Sequence, residues 1–314
     1  MRSVVCWLSL ALFIPSAAAK AKFVLSSSAT QQIQRLSAAQ NAQLQQICGR
    51  FERPKRKFKL MIDNGESADP GQFPWAVALA KTKRKSSAFC SATLISDRHI
   101  ITAAHCFFSY SDLNLPCKGP SEKTLDEITV NLGGVCLRTS EACGETDVIR
   151  RKVKQFAVLD RFNRENCVKG DDLAIAELDE PVKFSPTLRP ACLPSKNEPD
   201  LDHKDEYKIY STGFGRVSAE SLASRLYYFV TKIVSYFKPD ILTTRSEDNK
   251  ARICGGDSGG GVIARKGTGP YKVVGVHSFA MDCTPDADDR KYMSTLISKH
   301  SGQICKLTGI CPKK

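Results

Sequence analysis

Cys254-Gly255-Gly256-Asp257-Ser258-Gly259-Gly260 sets one serine in a run of glycines. A serine alcohol is a weak nucleophile until a base takes its proton. The oxyanion formed when it attacks a carbonyl also needs donors already in place. Flanking glycines let backbone N–H groups approach with no Cβ in the way. A plain glycine-rich turn carries the same letters, so the string needs partners elsewhere in the chain. Thr102-Ala103-Ala104-His105-Cys106 puts a histidine among small residues at a strand end, and Asp171-Asp172-Leu173-Ala174-Ile175 starts an apolar strand with an acid. A carboxylate buried beside an imidazole holds its tautomer. Taken singly, His105 reads equally as a structural histidine and Asp172 as a turn residue. In the order His, Asp, Ser they make a nucleophile, a base and a group to orient the base.

Around these strings, short β-rich runs alternate with Gly, Pro, Asn and Asp from Ile62 onward, at 76–80, 92–95, 99–103, 128–132, 173–177, 207–212, 226–234 and 273–279. That spacing predicts an all-β barrel or sandwich. Tyr292, Met293, Leu296 and Ile297 fall at helical spacing and predict one terminal helix over 291–300.

The N-terminus is of another kind. Arg2, an apolar run from Val4 to Ile14 and the small residues Ala17, Ala18 and Ala19 predict a cleaved signal peptide over 1–19. The run is shorter than the roughly 20 residues that span a bilayer, and no membrane span is expected. Thirteen cysteines, of which Cys6 leaves with the leader, point to an oxidising compartment and a disulfide framework. Residues 20–61 read as a pro-segment. Its 26–46 stretch is rich in Gln, Ser and Ala, and Ile33, Leu36, Leu44 and Ile47 suggest one weak helix capped by Ser28 or Thr30. Arg53-Pro54-Lys55-Arg56 resembles a furin-type convertase site. The net charge of +13 is partly local, in 53–59 and 81–85. No nucleic-acid motif goes with it, so no nucleic-acid partner is expected; solvated loops, or a patch for an acidic substrate or glycan, account for the charge. There is no N-x-S/T sequon.

The three strings together, in the order used by chymotrypsin rather than by subtilisins or α/β-hydrolases, resemble the chymotrypsin/trypsin-like serine proteases over about 62–300. Phe73-Pro74-Trp75, Pro190-Ala191-Cys192-Leu193-Pro194 and Thr212-Gly213-Phe214-Gly215 are similar to further family stretches, the last with phenylalanine for tryptophan. The resemblance implies two packed six-stranded antiparallel β-barrels with a C-terminal helix, a protease domain over 62–314, and peptide-bond hydrolysis through an acyl-enzyme. It implies that His105 is the base, Asp172 its orienter and Ser258 the nucleophile. The N–H groups of Gly256 and Ser258 would form the oxyanion hole, and Ser278 would sit beside the buried aspartate. It further implies disulfides Cys90–Cys106, Cys254–Cys283 and Cys48–Cys192, the last tethering the pro-segment. The pairing of Cys117, Cys136, Cys143, Cys167, Cys305 and Cys311 stays open, and an enlarged cystine-rich loop is expected between His105 and Asp172. A zinc site among these cysteines is disfavoured by poor ligand spacing. No cofactor or metal is assigned. The implied partners are protein or peptide substrates and a protease inhibitor.

The chain departs from the family at two places. Relatives free an amine, usually on isoleucine, that pairs with the acid before the serine. Here Asp257 and Ile62 are the candidates, but Met61 precedes Ile62, so a trypsin-like activator would not cut there. Two positions before Cys254, where trypsin-like relatives carry an acid, stands Arg252. A preference for Lys or Arg is therefore not expected, and an inward guanidinium would favour acidic residues. Ala280 replaces a glycine, Phe279 a tryptophan and Gly261 a proline. A catalytically silent binding protein on the same fold is the competing reading.

Overall fold

In the computed structural model the described residues are 21–51, 61–62, 65–109, 121–138, 148–164, 170–196, 206–216, 225–237, 240–280 and 291–313. In chain order they form β1 (Phe23–Leu25), α1 (Ala38–Ile47), β2 (Met61–Ile62), β3 (Gly65–Ser67), β4 (Ala76–Lys81), β5 (Arg84–Leu94) and β6 (His99–Thr102). A short hairpin of β7 (Phe108–Ser109) and β8 (Ser121–Glu122) follows, then β9 (Ile128–Leu132), β10 (Ile149–Leu159), α2 (Asp160–Arg164) and β11 (Ala174–Leu178). The remainder comprises β12 (Tyr207–Gly213), β13 (Tyr227–Phe237), β14 (Ile241–Ser246), β15 (Gly261–Lys266), β16 (Lys272–Ala280), β17 (Tyr292–Leu296) and α3 (Ser301–Thr308).

Strands β10-β11-β6-β5-β4-β9 close on themselves through a β10–β9 pairing, and β1 adds beside β10. Strands β12-β15-β16-β17-β14-β13 close through β12–β13, with β3 and then β2 appended to β13. The chain is thus two six-stranded antiparallel β-barrels with a C-terminal helix. Closure removes the long unpaired edges that an open sheet would expose. Small and β-branched residues make it feasible: all five residues of β9 and of β11 are buried. Between the barrels Phe51, Phe73, Trp75, Tyr210, Tyr228 and Tyr271 make a contiguous ring cluster, with centroids 5.0–6.4 Å apart in tilted or edge-on pairs.

Residues 21–51 are built into this framework. Ile33, Leu36 and Leu44 are buried in the main core. Leu36 N donates to Thr308 O at 2.7 Å, and Gly49 N donates to Pro190 O at 2.8 Å. Gln34 N reaches the buried Glu177 carboxylate at 3.0 Å. The helix is capped at Ser37, not at Ser28 or Thr30: the Ser37 hydroxyl accepts Gln40 N and the Gln40 side chain accepts Ser37 N, a reciprocal capping box. Residues 29–36 are not helical: Gln155 Nε2 of β10 donates to Gln32 O and Gln34 N donates to Glu177 of β11, while Ile33 and Leu36 enter the core.

The terminal helix also lies elsewhere. Tyr292–Leu296 is β17, paired on both sides with β14 and β16, and the helix is Ser301–Thr308. A five-residue apolar run does not reveal its own period, and pairing on two edges decides for strand. Cys48–Cys192, Cys90–Cys106 and Cys305–Cys311 are disulfides, and Cys136 is disulfide-bonded. The signal-peptide residues 1–19, the basic stretch 53–59, and Cys117, Cys143, Cys167 and Cys283 lie outside the described residues. Among the described residues no helix is long and apolar enough to cross a membrane.

Candidate active site

His105 lies in a one-turn 3₁₀ segment directly after β6, and Asp172 directly before β11; β6 and β11 are neighbours in the first barrel. The imidazole Nδ1 is 2.7 Å from Asp172 Oδ2, and the His105 backbone N–H donates to Asp172 Oδ1 at 2.9 Å. From the second barrel, Ser278 Oγ donates to Asp172 Oδ2 at 2.6 Å and Thr295 Oγ1 to the Asp172 carbonyl at 3.1 Å. Burial alone would raise the Asp172 pKa. The neighbouring imidazole charge and the hydrogen bonds from His105 and Ser278 outweigh it and hold the carboxyl below its ordinary value. An ionised Oδ2 makes Nδ1 the protonated nitrogen and leaves Nε2 as the acceptor. The His105 side chain is 26% exposed, so the ring is not sealed from solvent.

Ser258 lies close to the segment that carries His105. Its carbonyl accepts Ser91 N at 2.8 Å and lies 3.7 Å from Cys106 Sγ, next to His105. The half-buried Ser258 hydroxyl makes no hydrogen bond among the described residues. Gly256 sits at φ 101, in the region that disfavours a side chain. Its carbonyl accepts Ser91 Oγ at 2.9 Å, and the same hydroxyl receives Phe214 N at 2.9 Å. Ser91 thus fixes the glycine turn to the Gly213-Phe214-Gly215 turn. It carried no signal in the sequence, being one more residue within β5.

Asp257 points into the protein. Its carboxylate accepts Gly215 N at 2.7 Å and Cys254 N at 2.9 Å. Side chains at positions 213 and 215 would overlap it, which is why both are glycine. Burial pushes its pKa up to about 6, only partly countered by these two amides. Ile62, the other half of the expected activation pair, is in β2 opposite Gly65. A small cavity beside Asp257 is lined by Gly213, Gly215, Tyr227, Phe229 and Arg252. Ala280 is opposite Tyr292 and packs on Phe229, Ala251 and Ile253, while Phe279 is 55% exposed.

The model of the trypsin family matches residues 62–292. The chain is 27% identical over 234 residues to transmembrane protease serine 9 of Rattus norvegicus, covering 71% of this chain and 20% of that protein. It is 25% identical over 299 residues to the trypsin-like protease try-5 of Caenorhabditis elegans, covering 81% and 89%. To chymotrypsin-C of Rattus norvegicus it is 26% identical over 264 residues, covering 77% and 87%. The chain thus spans about a fifth of the first of these relatives and most of the other two. Two closed β-barrels and a family match over most of the sequence agree: the chain belongs to the trypsin family.

Proposed function

We propose that the protein is a secreted serine endopeptidase made as a zymogen. The observation that carries this reading is the hydrogen-bond chain from Ser278 through Asp172 to His105, beside an unbonded Ser258 hydroxyl. In the reaction, Ser258 Oγ attacks the scissile carbonyl as His105 Nε2 takes its proton. Asp172 stabilises the imidazolium without itself being protonated. The N–H groups of Gly256 and Ser258 receive the oxyanion, a contribution of about 3 kcal/mol per donor in comparable sites. The imidazolium then protonates the leaving amine, and water releases the acyl group by the same steps in reverse.

Residues 1–19 act as the leader, 20–61 as the pro-segment and 62–314 as the protease domain. Activation frees an amine at or near Ile62, whose cation compensates the buried Asp257. Because Met61 precedes it, the activating protease does not require a basic residue there, or trimming follows a cut in the basic stretch. Arg252, on the wall it shares with Asp257, repels a cationic side chain, so cleavage after Lys or Arg is not expected. Substrates are proteins or peptides, and protease inhibitors bind the same cleft.

A fluorophosphonate probe applied to the secreted, processed protein tests the reading. The expected result is one label on Ser258, absent in Ser258→Ala and strongly slowed in His105→Ala. No label on folded, processed protein would leave a binding protein on a protease fold. N-terminal sequencing of the same sample shows whether Ile62 is the free terminus.

A further inference from the structure

Outside the cleft, three buried side chains from distant parts of the chain converge. Asp171 comes from the turn before β11, Asp240 from the connection between β13 and β14, and His300 from the turn before α3. One ligand atom from each lies within 4.8 Å of the others. The residues are 2%, 5% and 4% exposed, respectively. Asp171 is held at φ 58, a conformation that costs energy for a residue with a side chain.

Hydrogen bonding in the cluster leaves two atoms over. Arg161 binds Asp171 Oδ2 at 2.6 Å, and Asp171 N donates to Asp240 Oδ2 at 3.1 Å. Gln303 Nε2 donates to the Ala21 carbonyl, so its Oε1 is the atom facing His300 Nδ1 at 3.1 Å. That oxygen can only accept, which puts the ring proton on Nδ1. Asp171 Oδ1 and His300 Nε2 are buried without a hydrogen-bond partner. They face each other at 3.8 Å. Two electron pairs opposed at a buried site repel unless a cation lies between them.

We propose that Asp171, Asp240 and His300 form a divalent-metal site, with zinc the ion these donors suit. His300 Nε2, Asp171 Oδ1 and the Asp240 carboxylate are the ligands, and water completes four-coordination. One imidazole with two carboxylates is a zinc-type donor set, whereas calcium takes six to eight oxygens. Across a tetrahedral zinc two such atoms lie about 3.4 Å apart, so binding draws Asp171 Oδ1 and His300 Nε2 together by about 0.4 Å. A divalent cation there would offset two carboxyl groups that crowd each other and have only Arg161 as a cationic side chain bonded to Asp171. Gln303 on His300 and Arg161 on Asp171 supply the outer contacts that orient metal ligands. Bound zinc ties the first barrel, the second barrel and the C-terminal helix together one residue from Asp172. The other group of close ligand atoms, Cys90, His105 and Cys106, is spent, since its sulfurs form a disulfide. The sequence assigned no metal because these ligands share no local spacing.

The test is equilibrium dialysis of chelator-treated, untagged full-length protein against zinc chloride, with metal analysis, and calcium chloride as control. About one zinc per chain is expected, with no calcium, together with a higher Tm in zinc. Asp240→Asn and His300→Gln should each weaken zinc binding about tenfold or more. Should either variant misfold, a His105→Ala/His203→Ala double variant decides: it leaves only His300 and the barrel-strand histidines His99 and His277, which are 0% and 1% exposed, and is expected to retain zinc. Folded wild-type protein that takes up no zinc would show a proton, as a His300–Asp171 ion pair, to be the occupant and overturn the proposal. So would zinc lost in the double variant, or retained undiminished in folded Asp240→Asn and His300→Gln. Metal content is read without any turnover, so failure here leaves the proteolytic reading untouched.

Discussion

Two buried carboxylates at the centre of the molecule are held in opposite states by their neighbours. The Asp172 carboxylate faces the His105 imidazole and backbone N–H and the Ser278 hydroxyl, and its pKa falls. Asp257 faces only the amides of Gly215 and Cys254, and burial raises its pKa to about 6. A carboxyl whose pKa is raised on folding binds its proton more tightly in the folded state. Its stabilising contribution is therefore complete below about pH 4, the unfolded value, and is lost as the pH rises through about 6. About two pKa units correspond to about 3 kcal/mol. In denaturant titrations of the uncleaved protein, wild type should lose about that much relative to Asp257→Asn between pH 4 and 6.5. Parallel pH profiles would show that the Asp257 proton is not linked to folding. If activation places an amine on Asp257, the linkage changes sign in the processed form, because an adjacent cation lowers the carboxyl pKa. The letters show three candidate acids, Asp171, Asp172 and Asp257, but not these environments. Position relative to an aliphatic strand and a serine separated Asp172 and Asp257. Asp171 read as a mere neighbour, because Asp240 and His300 lie far from it in the chain.

At the level of elements, local pattern was legible where a short, mostly apolar run was bounded by turn residues. The runs at 76–80 and 128–132 announce β4 and β9 because their residues are small or β-branched and bounded by turns. β10 was hidden: Arg150, Arg151, Lys152 and Lys154 interrupt its apolar residues, although Lys154 is satisfied by an ion pair with the buried Glu177 at 3.2 Å. β17 looked helical because its period is set by partners on both edges. In α1 the capping box outweighs a weak apolar face, so Ser37→Ala should destabilise the protein by about 1 kcal/mol. Equilibrium urea unfolding measures it; no change would mean that tertiary contacts, rather than the cap, define where α1 begins. Ser37→Asp should retain most of the stability, since its carboxylate can accept the same N–H.

For the molecule as a whole, the proposed cleavage downstream of residues 21–51 raises the question of what would hold them. The disulfide Cys48–Cys192 joins residues 144 apart and keeps the segment covalently attached. Non-covalent contacts are also extensive. β1 pairs with β10 over three residue pairs. Asn41 Nδ2 donates to the Cys311 carbonyl at 3.0 Å, and Cys311 N donates to Asn41 Oδ1 at 3.1 Å. Gly309, at φ 75, has no side chain because Leu36 backbone fills that space. Ile33, Leu36 and Leu44 each withdraw apolar surface worth about 2 kcal/mol from water. These contacts involve the first barrel, the loop before β16 and the terminal helix, so the segment behaves as part of the fold rather than as a tethered strap. With a specific protease site introduced within 52–60 and cut, the fragment should co-elute with the barrels on gel filtration without denaturant. It should do so even in a Cys48→Ser/Cys192→Ser variant, and separate only on unfolding. Release of the fragment from the folded double variant would mean that the disulfide alone retains it. In that case the buried Glu177, which accepts Gln34 N, would be exposed by the departure and the loss should appear as a lowered Tm of the remaining barrels.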